Sequence, residues 1–419
     1  MKQRVIIVGA GAAGMLAAIA AAQQGAEVTL LEKMDRPGRK IAITGKGRCN
    51  ITNSSSISQF LEKTGSDARF LKNAFSRFFS KEIIELLQEE GVAVVEERGG
   101  RFFPESQKAA DVNRALTNRL MRLGVKTLTN CRVDALTIEA GIIAGVKLTN
   151  GRLIPADRVI MATGGVSYPG TGSTGDGYKI LSEVGHKIIK PKPSLVPMLT
   201  KGDLAGRLQG LALKNVTAAL WKNGKKIGEE FGELLFTHFG LSGPIILTLS
   251  RRFSTYLDQP EDLYLTIDLK PALDHQKLDL RLLRELEEHG KMLMHNILHS
   301  LLPSSMVDVC LQETEIDGSI AGHQLKAEQR KRLRNWLKEV RFEVTGVRGF
   351  REAIITAGGV STKEIDPKTM QSKLVKGLYV VGELLDLDAD TGGYNLQIAF
   401  STGWVAGLSC LLEERKLGA

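Results

Sequence analysis

Apolar residues occur in short β-branched blocks and in longer alanine-rich periods from the start of the chain. Residues 4–8 (RVIIV) form an unbroken apolar run, as expected of a parallel strand buried on both faces. Residues 12–24 are alanine-rich with helical spacing, and Gly25 marks the stop. Residues 27–32 (EVTLLE) read as the next strand, completing a strand–helix–strand unit. A glycine-punctuated basic loop fills 36–50, and helices are predicted around 68–90. Short strands follow near 92–96, 126–136 and 142–148, with a hairpin turn at Asn150-Gly151. Residues 157–163 (DRVIMAT) form another buried-strand candidate.

From about residue 195 the pattern changes. Segments such as AALWKNGKK, ELLFTHF and LYLTIDL predict a small β-rich region over 195–272. Helical spacing dominates 273–341, ending in the basic amphipathic stretch AEQRKRLRNWLKEV. Strand texture returns after 342, and 396–413 closes with a helix. The simplest organisation is a discontinuous nucleotide-binding domain, 1–194 plus 342–419, interrupted by an insert over 195–341. The fold class is α/β.

Composition narrows the classes. Of 419 residues, 43% are apolar and 25% charged, which excludes a disordered chain. The 44 glycines without a Gly-X-Y period point to tight turns and close backbone approaches rather than to collagen. Cys49, Cys131, Cys310 and Cys410 lie far apart, so no zinc or iron–sulfur spacing exists and a reducing, cytoplasmic compartment is expected. No metal site is predicted; His295 and His299 have helical i, i+4 spacing but no third ligand. The glycines interrupting the first apolar stretch argue against a signal peptide, and no membrane span is expected.

The net charge is +9, distributed as +10 over 1–200, +1 over 201–341 and −2 over 342–419. Five basic residues fall between Arg36 and Arg48, so much of the excess lies by the proposed cofactor site. Nucleic acid is therefore the poorer partner and a small molecule the better one, with oligomeric state left open.

Gly9-Ala10-Gly11-Ala12-Ala13-Gly14 stands between strand and helix, the context a dinucleotide fingerprint requires. The helix N-terminus then faces a pyrophosphate, and Glu32 ends the second strand where it can accept from ribose hydroxyls. Gly170–Gly175 also matches the pattern but follows no strand directly, and reads as a glycine loop touching ligand or capping a helix through Asp176. Near the C-terminus, LYVVGE runs into Asp386 and then TGGYNLQ before a helix. This stretch resembles the one in FAD proteins of the glutathione-reductase-like fold, a resemblance that implies a carboxylate at the ribityl chain and a helix start at the flavin ring.

With these motifs, and with GRKIAITGKGRCNITN, MATGGVSYPGTGSTGDGY, FTHFGLSGP and ITAGGVSTKEID, the chain resembles bacterial FAD-dependent oxidoreductases of the BaiN/RdsA type over nearly its whole length. The resemblance implies non-covalent FAD, a glutathione-reductase-like flavin domain, an inserted β-barrel-like plus helical domain, and NAD(P)H as transient reductant. It assigns Lys33, Arg39 and Lys40 to the nucleotide, and Gly47, Arg48, Cys49 and Asn50 to the surroundings of the ring. Val133 would contribute to the adenine site, and Ala162, Thr163, Gly164 and Gly165 to the pyrophosphate. Gly382, Glu383 and Asp386 would face the ribityl and pyrophosphate groups, and Gly393, Tyr394, Asn395, Leu396 and Gln397 the flavin ring.

For catalysis the polar candidates are Tyr168, His238 and Arg348. The leading expectation is hydride transfer through flavin N5 to a small molecule such as an enone or quinone. The alternatives are a flavoprotein acting in RNA modification and a flavin-binding regulatory protein without turnover.

Overall fold

The computed structural model describes residues 2–65, 67–253, 256 and 262–411. These fall into two compact units, one formed by 1–194 with 350–419 and one by 195–349.

The first unit is built on a five-stranded sheet of Leu378–Val380, Arg158–Met161, Arg4–Val8 (β1), Glu27–Leu31 (β2) and Lys126–Leu128, in that order. All neighbours in it run parallel. Val5, Ile6, Ile7 and Val8 are all buried, which is why the strand reads as one apolar block. The helix α1 (Ala12–Gln23) connects β1 to β2 and packs against the C-terminal helix Tyr394–Ser409. Small residues make that contact close: a Cβ on Gly403 would lie 2.2 Å from the Ala13 carbonyl oxygen, and one on Gly407 2.3 Å from that of Ala17.

The second unit contains a closed six-stranded barrel of Met198–Thr200, Gly240–Ser242, Lys225–Thr237, Ala212–Lys222, Leu263–Asp268 and Val340–Val347. Inward residues such as Leu220, Phe236, Leu265 and Phe342 join a separate apolar core. Helices cover 275–288, 294–298, 304–313 and 327–338.

Several sequence expectations need correction. The boundary at 341/342 falls inside the barrel strand Val340–Val347, whose alternating inward residues Val340, Phe342 and Val344 fill the barrel core; the unit ends at Gly349. The β-rich stretch 195–272 also contains the helix Pro244–Phe253. The 36–50 loop holds the helix Arg39–Gly47, broken where Gly45 and Lys46 turn left-handed (φ 57° and 59°). The single strand expected over 126–136 is two, Lys126–Leu128 and Val133–Glu139. The strand Arg101–Pro104 and the helix Ala109–Arg122 were not foreseen. No helix among the described residues is long and apolar enough to cross a membrane.

Candidate functional site

The candidate nucleotide cradle begins where β1 meets α1. Gly9 adopts φ 103°, and a Cβ there would lie 2.5 Å from the Ala162 carbonyl oxygen. One on Gly14 would lie 1.8 Å from Gly9 O, so only glycine lets helix and turn approach this closely. Gly11, the residue capping α1, has open space where its side chain would be. The first-turn N–H groups of α1 therefore meet a surface that a pyrophosphate can reach.

Glu32 lies beside this turn. Its carboxylate accepts from the N–H groups of Ala10 and Met34, both at 2.8 Å, which fixes it at the end of β2. Thr163 stands beside this turn, two residues past the strand Arg158–Met161, and its Oγ1 is buried with no protein partner. That orphaned hydroxyl, the open face of Gly11 and the held Glu32 fit the adenosine and pyrophosphate half of FAD. Val133 is buried at the start of its strand, which pairs with Ile142–Leu148.

The second glycine motif is tied to the residues that follow β2. Lys33 Nζ donates to Thr174 Oγ1 at 2.5 Å and pairs with Asp176 at 2.8 Å, and Arg132 pairs with the other oxygen of Asp176 at 3.0 Å. Gly175 caps the helix and Asp176 is its first residue, so the carboxylate sits at the positive helix end. These pairs hold the Asp176 carboxyl below its ordinary value despite burial. Lys33, expected at the adenosine, is thus held within the protein. Arg39 pairs with Asp35 at 2.7 Å and reaches the Gly170 carbonyl oxygen at 3.2 Å, anchoring the same loop.

Lys40 and Glu383, assigned separately from sequence, form an ion pair at 2.5 Å. Glu383 also accepts from Ser167 Oγ (2.6 Å) and the Thr356 N–H (2.9 Å), and Lys40 donates to Ser167 Oγ (2.6 Å). Ser167 and Thr356 were not singled out by sequence reasoning. Their signal was the Gly-Gly context each shares, ATGG before Ser167 and TAGG at Thr356. The knot draws together the Arg39–Gly47 helix, the loop after Arg158–Met161 and the strand Ile355–Val360.

Tyr168 follows Ser167 directly. It is half-buried with left-handed backbone (φ 50°), a conformation a bulky side chain adopts only when its surroundings impose it. Burial first, then the charge of Glu352, raises its phenol above the ordinary tyrosine value, so it stays protonated at neutral pH.

At the start of the C-terminal helix, Gly393 is the cap at φ 100°, its Cα pressed toward the Thr52 carbonyl. Asn395 bonds the backbone of Ala389 in both directions, and Tyr394 packs edge-on against Phe60 at 4.6 Å. Asn50, in the amide orientation that satisfies both its atoms, accepts from Gly393 N and donates to Thr52 O. Gln397 is fully buried, so its side chain faces protein rather than ligand. Burial first, then the charges of Asp67 and Asp388, raises the Asp386 carboxyl above the ordinary range.

Arg48 pairs with Glu97 and Gln107 and lies 4.1 Å from the Phe103 ring centroid. Burial pushes the Cys49 thiol up to about 12, which leaves it an inert neighbour at neutral pH.

His238 and Arg348 belong to the second unit. The exposed His238 ring meets Phe239 edge-on at 5.0 Å, and the Arg348 guanidinium lies 4.7 Å from the same phenyl ring. His295 lies 3.3 Å from Asp308, and no cluster of three or more metal-ligating side chains occurs among the described residues.

A family model described as the HI0933-like protein Rossmann domain matches residues 3–409. A 3-dehydro-bile acid delta(4,6)-reductase of Clostridium scindens is 33% identical, the match covering 96% of this chain and 98% of the relative. A ribosomal RNA dihydrouridine synthase of Escherichia coli K12 is also 33% identical, over 95% of this chain and 96% of its own. Among solved structures, a 3-ketosteroid-delta4-(5alpha)-dehydrogenase of Rhodococcus jostii shares the fold, with TM-score 0.52, 16% identity and coverage of 98% and 96%.

Proposed function

The chain belongs to the HI0933-like Rossmann family and is an FAD-dependent oxidoreductase, and from that premise we propose that it reduces a carbon–carbon double bond conjugated to a carbonyl. The observation carrying this reading is the half-buried Tyr168 phenol, kept protonated on a left-handed backbone and standing next in the chain to Ser167, whose hydroxyl bonds both Lys40 and Glu383. Saturating such a bond requires a hydride at the β-carbon and a proton at the α-carbon. FAD, when bound, supplies hydride chemistry at its N5 atom. Tyr168 gives up the proton from its phenol oxygen and recovers one from solvent. Glu32 and Thr163 orient the nucleotide, and the first turn of the C-terminal helix directs N–H groups at the ring edge. NAD(P)H reduces the enzyme transiently, since one fold-embedded dinucleotide fingerprint is present.

The preferred substrate is a small enone. Both named relatives, by their names, act to saturate a ring double bond. A uracil in ribosomal RNA is the second reading, favoured by the net charge of +9 and by the equal identity to the dihydrouridine synthase. The basic helix Ala327–Lys338 argues for the first. Arg330 and Arg334 are drawn to Asp279, Lys338 to Asp268, and Arg332 to the Thr314 carbonyl.

The test starts with absorbance of the purified protein for flavin, then anaerobic reduction by NADH or NADPH. The reduced protein is mixed with steroid enones or with ribosomal RNA carrying unmodified uridine. Fast reoxidation by an enone supports the first reading, and dihydrouridine formation in RNA the second. Tyr168→Phe should slow reoxidation by roughly 10²–10⁴-fold while FAD is retained. An unchanged rate would remove Tyr168 as the acid.

A further inference from the structure

A buried polar network lies beneath the first turn of the C-terminal helix, and nothing in the cradle described so far uses it. Gln397 Oε1 accepts from Thr52 Oγ1 at 2.6 Å, and its Nε2 donates to Ser401 Oγ at 2.9 Å. Ser401 Oγ donates in turn to the Phe78 carbonyl oxygen at 2.7 Å. On the other side Ser80 Oγ lies 2.9 Å from Thr52 Oγ1 and donates to the Asn53 carbonyl oxygen at 2.8 Å. Thr52, Gln397 and Ser401 are wholly inaccessible to solvent.

The network has a direction. Thr52 and Asn53 form a short strand against Arg101–Pro104, and that strand grips the start of the helix at three places. The Thr52 carbonyl abuts Gly393, Asn53 Nδ2 donates to the Gly392 carbonyl oxygen at 3.1 Å, and Thr52 Oγ1 holds Gln397 one turn further on. Between these grips lie the N–H groups of Tyr394, Asn395 and Leu396, which have no acceptor within the helix by its geometry. A helix end carrying free N–H groups stabilises negative charge only if those groups are held in place beforehand.

We propose that Thr52 and Gln397 are positioning residues that lock the first helical turn against the flavin, so that the reduced, negatively charged cofactor is stabilised more than the oxidised one. This rests on the FAD reading given above. Neither side chain needs to touch the cofactor, because both act through the backbone of residues 393–396. The rest of the helix is anchored independently by Gly403 and Gly407 against α1, so loosening the first turn leaves the fold intact.

The experiment compares the full-length protein with Thr52→Val, which keeps the shape and removes the hydroxyl, and with Thr52→Ser, which restores it. The readouts are the FAD dissociation constants in the oxidised and reduced states, the flavin midpoint potential and the melting temperature. Thr52→Val should weaken binding of reduced FAD about tenfold relative to oxidised FAD, which equals a fall of about 30 mV for a two-electron couple. Thr52→Ser should return the potential to that of the parent, and Gln397→Leu should reproduce the fall. An unchanged potential in Thr52→Val, whatever happens to its melting temperature, would overturn the positioning role. If Thr52→Val does not fold, Ser401→Ala breaks the network at its far end and is read the same way. Failure of the parent protein to bind FAD would instead overturn the underlying flavin reading, so the two failures are distinct.

Discussion

At the residue scale, the cysteines give a sharp expectation. Cys49, Cys310 and Cys410 are buried, and burial pushes each thiol up to about 12. Cys131 is half-buried. A disulfide reagent at pH 8 should therefore titrate one thiol quickly in the native protein, and Cys131→Ser should abolish that phase. Fast reaction of Cys49 would restore a redox-thiol reading. The same three groups set an alkaline limit. Each has a folded pKa raised above its reference value of 9.0, so the folded state holds its proton more tightly than the unfolded state. Stability is full below about pH 9 and is lost as pH climbs from there toward 12. Melting temperatures measured across pH 7–11 should fall only in the upper part of the range.

At the element scale, the contact between α1 and the C-terminal helix is decided by small residues. A side chain on Gly403 or Gly407 would meet backbone oxygens of Ala13 or Ala17 at under 2.4 Å, and backbone cannot move aside as a flexible side chain can. Gly403→Val should therefore destabilise the protein by about 1–3 kcal/mol or more in chemical denaturation, the range of an overpacked core. A neutral effect would mean that the helices have room to separate. The alanine run of α1 and the glycines at 403 and 407 are visible in the sequence, but their pairing is not. The chain must bring residues almost 400 positions apart together before that spacing has meaning. The helix Ala109–Arg122 escaped notice for a different reason. Its five buried residues, Ala109, Val112, Ala115, Leu116 and Leu120, are diluted by two alanines and interrupted by charged and polar positions.

At the scale of the whole molecule, two separate apolar cores lie in two units, and the candidate nucleotide cradle belongs to the first. Calorimetry should resolve two transitions, and added FAD should raise one of them alone. At a free concentration of one hundred times the dissociation constant the gain is about 2.7 kcal/mol. Equal movement of both transitions would mean that the units unfold as one.

The sequence by itself determined the dinucleotide fingerprint and its strand–helix–strand setting, because those depend on glycines, a helix start and an acid that lie within about 30 consecutive residues. It also led to the expectation of an insert over 195–341, since the change from one hydrophobic period to another is a local property, and the second compact unit spans 195–349. Only the tertiary structure decided what the polar residues do. Lys40 with Glu383, Lys33 with Asp176, and Thr52 with Gln397 are separated by 343, 143 and 345 positions. Each had been given a role alone, or none. A charged or polar side chain takes its meaning from the partner that compensates its burial, and that partner is chosen by the fold.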